Sequence, residues 1–275
     1  MSERDRVICE LPGGVAVALS RQSQLGVNGS LLVAGDPGGA VHLEGGRVVG
    51  VESPGAPSVE GLLLRSGRVL ETSWVAAQQA GAAHGDIAFE LVRRGLVGAV
   101  ELQAVCLLAL YDATYAIAAG EVEQCAWAPG GPPPRCWTRT VTAVDAEVLR
   151  MEAERRLAAF ARSSAPLSPG RDRLSAVDYG QPQVRRPDGL RADILRLADG
   201  RRTARDIAFQ VGRGVYPVMV EAVRLLAQGM LRIEPPAQEH SGVRALLAPR
   251  RSAPNAPAPD GPLRLPRRHA RASGT

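Results

Sequence analysis

The chain contains 275 residues, of which 45% are hydrophobic and 4% aromatic, and all of its 33 basic residues are arginine. The length allows about two domains, and the absence of lysine excludes P-loop and Schiff-base chemistry, which require a lysine amine. No apolar run reaches the roughly 18 residues needed to cross a bilayer, and no apolar segment follows the charged N-terminus, so we expect a cytoplasmic protein without a membrane span.

Positive charge is concentrated in the last third of the chain. Residues 1–184 contain 16 arginines and 20 acidic residues, residues 185–235 contain 10 and 6, and residues 236–275 contain 7 and 2. An excess of arginine in one region attracts polyanions. The last third is therefore where contact with nucleic acid is expected.

Residues 28–53, NGSLLVAGDPGGAVHLEGGRVVGVES, contain three short apolar runs separated by turns rich in glycine, aspartate and proline. This alternation predicts a small antiparallel meander of two or three strands. The preceding segment, VAVALSRQSQLGV, fits either a strand or a short helix that starts the same layer.

An internal repeat follows the predicted sheet. The segments VEGLLLRSGRVLETSW (59–74) and IAFELVRRGLVGAVEL (87–102) align at an offset of 28 residues. Each predicts an apolar helix that ends at a glycine, Gly67 or Gly95, and is followed by a second helix, because glycine enters the left-handed conformation at a helix end without strain. The repeat predicts a duplicated helical hairpin packed against the sheet.

Three further elements are predicted before the composition of the sequence changes at residue 162. They are a long helix over 99–119, a strand over 120–130 and a charged amphipathic helix over 144–161. Residues 162–186 are rich in serine, proline and glycine, and this composition predicts a linker.

Residues 28–161 resemble the PATAN family of bacterial regulatory domains. The resemblance is carried by NGSLLV, by the glycine-separated apolar runs of GAVHLEGGRVVGVES and by the later EAERRL helix, in that order. It implies an α+β domain over residues 1–161 that binds a protein partner in signalling systems and has no catalytic residues.

The pattern of residues 187–235 predicts a winged helix-turn-helix. Helix one is expected over 189–198 and ends at Asp199-Gly200, and helix two begins at Thr203, where Asp206 completes a capping box. The remaining boundaries are a turn at Gly212 and Gly214, the start of helix three at Tyr216-Pro217 with proline at its first position, the end of that helix at Gly229, and a strand at MLRIE.

The predicted fold alone does not indicate that the partner is DNA. A recognition helix presents polar side chains to base edges, and helix three offers few of them. The region also resembles the small winged-helix adaptors similar to PqqD, which share its DG-R-T pattern and bind peptides. The candidate DNA-binding residues are Arg201, Arg202, Arg205 and Arg213 for phosphate, and Tyr216, Arg224 and Gln228 on helix three.

Motifs for chemistry are missing from the sequence. The four cysteines form no C-x-x-C pair, the four histidines are scattered, and neither a G-x-S-x-G nor a dinucleotide-binding fingerprint occurs. We therefore expect a protein that is not an enzyme and has neither a metal nor a cofactor.

The predicted fold class is α+β: a small antiparallel sheet with packed helices, a C-terminal three-helix winged helix-turn-helix, and a disordered, basic tail rich in proline and arginine over residues 236–275. The predicted function is that of a non-catalytic transcriptional regulator with an N-terminal protein-interaction domain. The alternative is a signalling adaptor whose winged helix binds protein or peptide rather than DNA. The oligomeric state and the identity of the partner stay open.

Overall fold

The described part of the chain contains nine helices and two antiparallel sheets, which confirms the predicted mixture of helices and antiparallel strands. The computed structural model describes residues 9–10, 14–82, 87–131, 143–161, 166–177 and 189–235. The tail over residues 236–275, predicted to be disordered, lies outside the described residues.

The N-terminal sheet has five strands: β1 (Cys9–Glu10), β2 (Gly29–Asp36), β3 (Gly39–Glu44), β4 (Arg47–Glu52) and β5 (Glu121–Pro129). Their spatial order is β1-β5-β2-β3-β4 and every pairing is antiparallel, so β2, β3 and β4 form the predicted meander. Gly45 and Gly46 connect β3 to β4 with φ angles of 57° and 74°, a left-handed backbone that glycine adopts without strain.

Six helices accompany this sheet: α1 (Gly14–Gln24), α2 (Val59–Arg65), α3 (Glu71–Ala82), α4 (Ile87–Arg93), α5 (Ala99–Ala118) and α6 (Ala146–Ala161). The segment that fitted either a strand or a helix forms α1. Leu31 and Leu43 of the sheet are fully buried in one hydrophobic cluster with Leu102 of α5, which makes α5 the central helix of the N-terminal core.

The predicted repeat is present as two similar helical hairpins, α2-α3 and α4-α5. Gly67 and Gly95 end the first helix of each hairpin with φ angles of 72° and 68°. Equivalent side chains are also buried alike, since Leu63 and Leu91 are both fully buried. We use the name helical repeat for residues 59–118.

The C-terminal module, residues 166–177 and 189–235, contains β6 (Arg173–Ala176), α7 (Gly189–Leu197), β7 (Asp199–Thr203), α8 (Ala204–Val211), α9 (Val215–Ala227) and β8 (Leu231–Glu234). The three predicted helices are present. The predicted capping box also forms, because the Asp206 amide donates to Thr203 Oγ1 at 3.2 Å and the Thr203 amide donates to Asp206 Oδ2 at 2.9 Å.

The sheet of this module corrects the sequence prediction. Part of the predicted linker 162–186 forms β6, which lies between β7 and β8 as the central strand. Helix α7 ends at Leu197, just before the predicted stop at Asp199-Gly200, and these two residues begin β7. Helix α9 begins at Val215, so proline occupies its third position rather than its first. Leu174 of β6 is fully buried by residues that are distant in the sequence. Local composition therefore does not reveal that this segment forms a strand. No strand follows β8 among the described residues, so the wing hairpin of a winged helix is not seen there.

The two halves predicted as separate domains pack against each other. The described residues between Cys9 and Pro235 belong to one compact unit, in which α5 contacts α9 and α2 contacts α8. Tyr115 of α5 belongs to the same hydrophobic cluster as Ile207 of α8 and Leu225 of α9. Independent folding of either half stays a prediction.

His42 is a buried histidine of β3, and its surroundings affect its ionisation. Ser30 Oγ lies 2.8 Å from His42 Nδ1, while His42 Nε2 is buried without a hydrogen-bond partner among the described residues. Burial lowers the pKa of His42 below its usual value of 6.5, and the nearby charge of Glu52 opposes this effect. The folded protein therefore favours the neutral imidazole.

We expect this burial to produce acid sensitivity below the ordinary histidine pKa. The unfolded chain binds the proton more tightly, so the free energy of unfolding should fall as the pH drops below 6.5 towards the lowered pKa of the folded state. Urea unfolding at a series of pH values should show a smaller fall for His42→Gln than for the unchanged protein. Parallel curves for the two proteins would contradict the assignment.

Candidate functional site

A carboxylate from α5 binds the start of α9. The N-cap residue of α9 is Gly214, which has no side chain for capping. Instead, the Val215 amide donates to Asp112 Oδ2 at 2.6 Å and the Tyr216 amide donates to Asp112 Oδ1 at 2.8 Å. First-turn amides lack acceptors within their own helix, and negative charge is favoured at that end. Asp112 therefore caps α9 from a position 103 residues away in sequence.

Gly214 is adapted to this contact. A Cβ atom at Gly214 would lie 3.1 Å from both Cγ and Oδ1 of Asp112, closer than most side chains tolerate. A residue with its own capping side chain, such as serine or aspartate, would compete for the same space. The local cap of α9 is thus replaced by a contact with α5.

Burial governs the ionisation of Asp112. The residue is 3% exposed. Burial raises the pKa of its carboxyl group above the usual value, while the amides of Tyr216 and Val215 and the positive charge of Arg156 act in the opposite direction. The two amide hydrogen bonds explain how a carboxyl group is accommodated at this depth.

Aromatic rings from both halves meet beside Asp112. The ring of Tyr216 lies 5.5 Å from the ring of Tyr115 on α5 and 5.5 Å from that of Phe160 on α6, both in edge-to-face geometry. Such pairs add about 0.5–1.5 kcal/mol each beyond the burial of their area. The Arg156 guanidinium stacks 4.5 Å above the Tyr216 ring, and these contacts hold Tyr216 inside the interface.

The turn before α9 also contacts the helical repeat. Gly212 ends α8 in the left-handed conformation, with φ of 62°. A Cβ atom there would lie 2.5 Å from the backbone nitrogen of Ser66, at the end of α2. Any residue larger than glycine would therefore separate α8 from α2.

The predicted phosphate-binding residues lie at three different places. Arg201 is exposed on β7, and its guanidinium has no hydrogen-bond partner within the described ranges. Arg202 donates to Asp199 Oδ2 at 2.8 Å and to the Leu197 carbonyl at 3.1 Å. Its guanidinium is therefore partly bound within the fold and less available to a phosphate. Arg205 and Arg213 stand apart, Arg205 against Gly170 and Arg213 exposed in the turn before α9.

The predicted residues on helix three are also separated from one another. Tyr216 lies in the interface with α5 and α6. Arg224 is exposed, 3.4 Å from Glu221, and Gln228 ends α9 and accepts a hydrogen bond from Arg191. The structure therefore brings Arg213 and Tyr216 near one cleft but does not join the seven residues into one surface.

Sequence reasoning missed Asp112, Tyr115 and Arg156. Asp112 stands in the apolar run LLALYDATYAIA of α5, and a single carboxylate in such a run is a signal of a buried polar contact. The groups that Asp112 binds could not be predicted, because they are backbone amides at the start of α9, which is distant in the sequence.

Two general features of the described residues bear on function. One helix, α5, is long and apolar enough to cross a membrane, but more than half of its apolar window is buried in the protein, as in a core helix. No group of three or more histidine, cysteine, aspartate or glutamate side chains is arranged to hold a metal within the described segments.

Comparison with known proteins gives no relative: no family, curated protein or solved structure matches the chain.

Proposed function

We propose that the chain is a cytoplasmic, non-catalytic regulatory adaptor that binds a protein partner through its PATAN-like N-terminal half. In this proposal the C-terminal module, a winged-helix-like unit, does not read DNA with α9. The observation that carries the proposal is the contact of Asp112 with the first amides of α9.

That contact occupies the part of α9 that DNA recognition would need. A recognition helix places its N-terminal residues against base edges in the major groove. Here Val215 is buried, Tyr216 is packed among aromatic rings, and their amides are bound by Asp112. DNA could reach these residues only if the C-terminal module separated from α5.

Exposed apolar side chains on the helical repeat support a protein partner. Six of the twelve large apolar residues that are exposed in the described part of the chain belong to it. Exposed apolar side chains mark a protein interaction site where they form a contiguous patch, whereas single ones are common on any protein surface. The six residues are Leu70, Val75, Phe89, Val92, Val100 and Leu108.

Capture of partners from cells of the native host tests the adaptor role. Val100 is 79% exposed in the first turn of α5, so Val100→Glu should leave the fold intact while removing captured proteins that survive nuclease treatment. The matched control is Val17→Glu, an exposed valine in α1, which should keep them. Captured material that nuclease removes, or that both variants keep, would contradict an adaptor acting through the helical repeat.

A second candidate is a transcriptional regulator that binds DNA mainly through charge. It is favoured by Arg173, Arg201 and Arg213, which are exposed and have no acidic partner among the described residues. These arginines do not lie on α9. Such a protein would bind phosphate with little preference for sequence.

The salt dependence of DNA binding separates the two candidates. The adaptor predicts no DNA binding by the full chain in about 50 mM salt, whereas the regulator predicts weak binding in which each neutralised phosphate adds about 0.9 to the slope of log affinity against log salt. Arg201→Ala should reduce that slope by about 1, and Arg224→Ala should leave sequence preference unchanged. Fluorescence anisotropy with labelled duplexes measures both. The absence of binding in about 50 mM salt would favour the adaptor, whereas binding that weakens with salt and has a smaller slope in Arg201→Ala would make the regulator the better assignment.

A further inference from the structure

A cleft of about 550 Å³ lies where the helical repeat, α6 and the C-terminal module meet. Its volume is within the range of about 300–1,000 Å³ that is typical of small-molecule sites. Three arginines and one acidic residue are among the residues that line it. These are Arg68, Arg156, Arg213 and Asp112, and the apolar part of the wall is formed by Leu62, Val105, Leu108 and Leu190.

The wall of this cleft contains one arginine without a carboxylate partner among the described residues. Both oxygens of Asp112 are already bound to the amides of Val215 and Tyr216. Arg68 is paired with Glu101, but Arg213 is exposed and has no carboxylate partner within the described ranges. Arg156 is paired with Glu152 through Nε, so the Nη groups of Arg156 and the guanidinium of Arg213 are the donors in the wall that an anion could bind.

Arg156 is the residue that points to a ligand. It is only 9% exposed, and it lines the cleft while its guanidinium stacks over the rings of Tyr111 and Tyr216. Within the described segments its hydrogen bond goes from Nε to Glu152 at 2.7 Å, and no acceptor there binds its Nη groups. A guanidinium has five N–H donors, and the Nη groups of Arg156 are not among the fully buried, unpartnered atoms of the described residues, so they are accessible from the cleft. An anion in the cleft would accept hydrogen bonds from these Nη groups.

We propose that the cleft binds a small amphipathic anion, with its acidic head on Arg156 and Arg213 and its apolar body against Leu108. Carboxylate, phosphate and sulfonate heads share the planar or branched oxygen geometry that guanidinium groups bind with paired hydrogen bonds. The site is built from both halves of the chain, so an occupied cleft holds the C-terminal module against α5. This inference goes beyond the adaptor role and does not depend on the nature of the macromolecular partner.

The test uses 8-anilinonaphthalene-1-sulfonate, which combines a sulfonate with an aromatic body, and the full chain. We expect saturable binding at one site per chain, detected by fluorescence. Decanoate should displace the probe, whereas decyltrimethylammonium, whose alkyl tail is one carbon longer and whose charge is opposite, should not. The absence of saturable binding, or equal displacement by the two amphiphiles, would overturn the proposal.

Variants at exposed positions of the cleft locate the binding site. Arg213→Glu and Leu108→Glu both add negative charge to the wall, and each should weaken probe binding by about tenfold or more. Circular dichroism should show that both variants remain folded, since the two side chains are exposed. Arg196→Gln, at an exposed arginine that does not line the cleft, is the matched control and should bind like the unchanged protein. Unchanged binding by both cleft variants would overturn the proposal.

Discussion

Replacing Asp112 with alanine should lower the free energy of unfolding by about 2–4 kcal/mol. The change leaves the amides of Val215 and Tyr216 without their acceptor, and each unpaired buried polar group costs about 1–3 kcal/mol. The removal of a buried carboxyl group offsets part of this loss, because that group had to be transferred from water. Urea unfolding of the full chain measures the result.

An ordinary helix cap provides the matched control for Asp112. Asp145 is exposed, and its Oδ1 accepts a hydrogen bond from the Glu147 amide at 2.8 Å at the start of α6. Asp145→Ala should cost about 1 kcal/mol, as other cap replacements do. Equal effects of the two substitutions would mean that Asp112 acts as a simple cap and does not join the two halves.

Replacing Ile207 with aspartate should abolish the cooperative unfolding of the C-terminal module. Ile207 is fully buried on α8, and an unpaired carboxylate in its place costs more than about 4 kcal/mol. The total stability of a typical domain is only about 5–15 kcal/mol. Hydrogen exchange of the full chain should show rapid exchange in α8 and α9.

Phe209, two residues further along α8, gives the control for this substitution. Its side chain is 38% exposed, so Phe209→Asp should lower the free energy of unfolding by only about 1–2 kcal/mol and leave the module folded. If Ile207→Asp retained slow exchange in α8 and α9, Ile207 would not belong to the core of the module.

Local signals in the sequence were sufficient for most helices and for the meander. The capping box at Thr203 and Asp206 lies within four residues, and the ends of α2 and α4 at Gly67 and Gly95 follow from the conformation that glycine permits. In each case the determining interaction is short in sequence. These elements could therefore be predicted without knowledge of the packing.

Interactions between distant segments could not be predicted in the same way. Leu174 is one apolar residue in a segment of linker composition, and it becomes the centre of a sheet only through β7 and β8. Arg202 carries a charge that suggested phosphate binding, but Asp199 and a backbone carbonyl already bind it. The cap on α9 likewise required the relative position of α5, which no local pattern contains.

Hydrogen exchange at Val215 and Tyr216 tests the central claim most directly, namely that Asp112 of α5 binds the first amides of α9 and covers the start of this helix. First-turn amides of an uncapped helix exchange quickly because they have no acceptor within the helix. The structure predicts slow exchange at both amides in the full chain and a loss of that protection in Asp112→Ala, with the middle of α9 still protected. Fast exchange at both amides in the unchanged protein would contradict the closed arrangement, and with it the argument that α9 is unavailable to DNA.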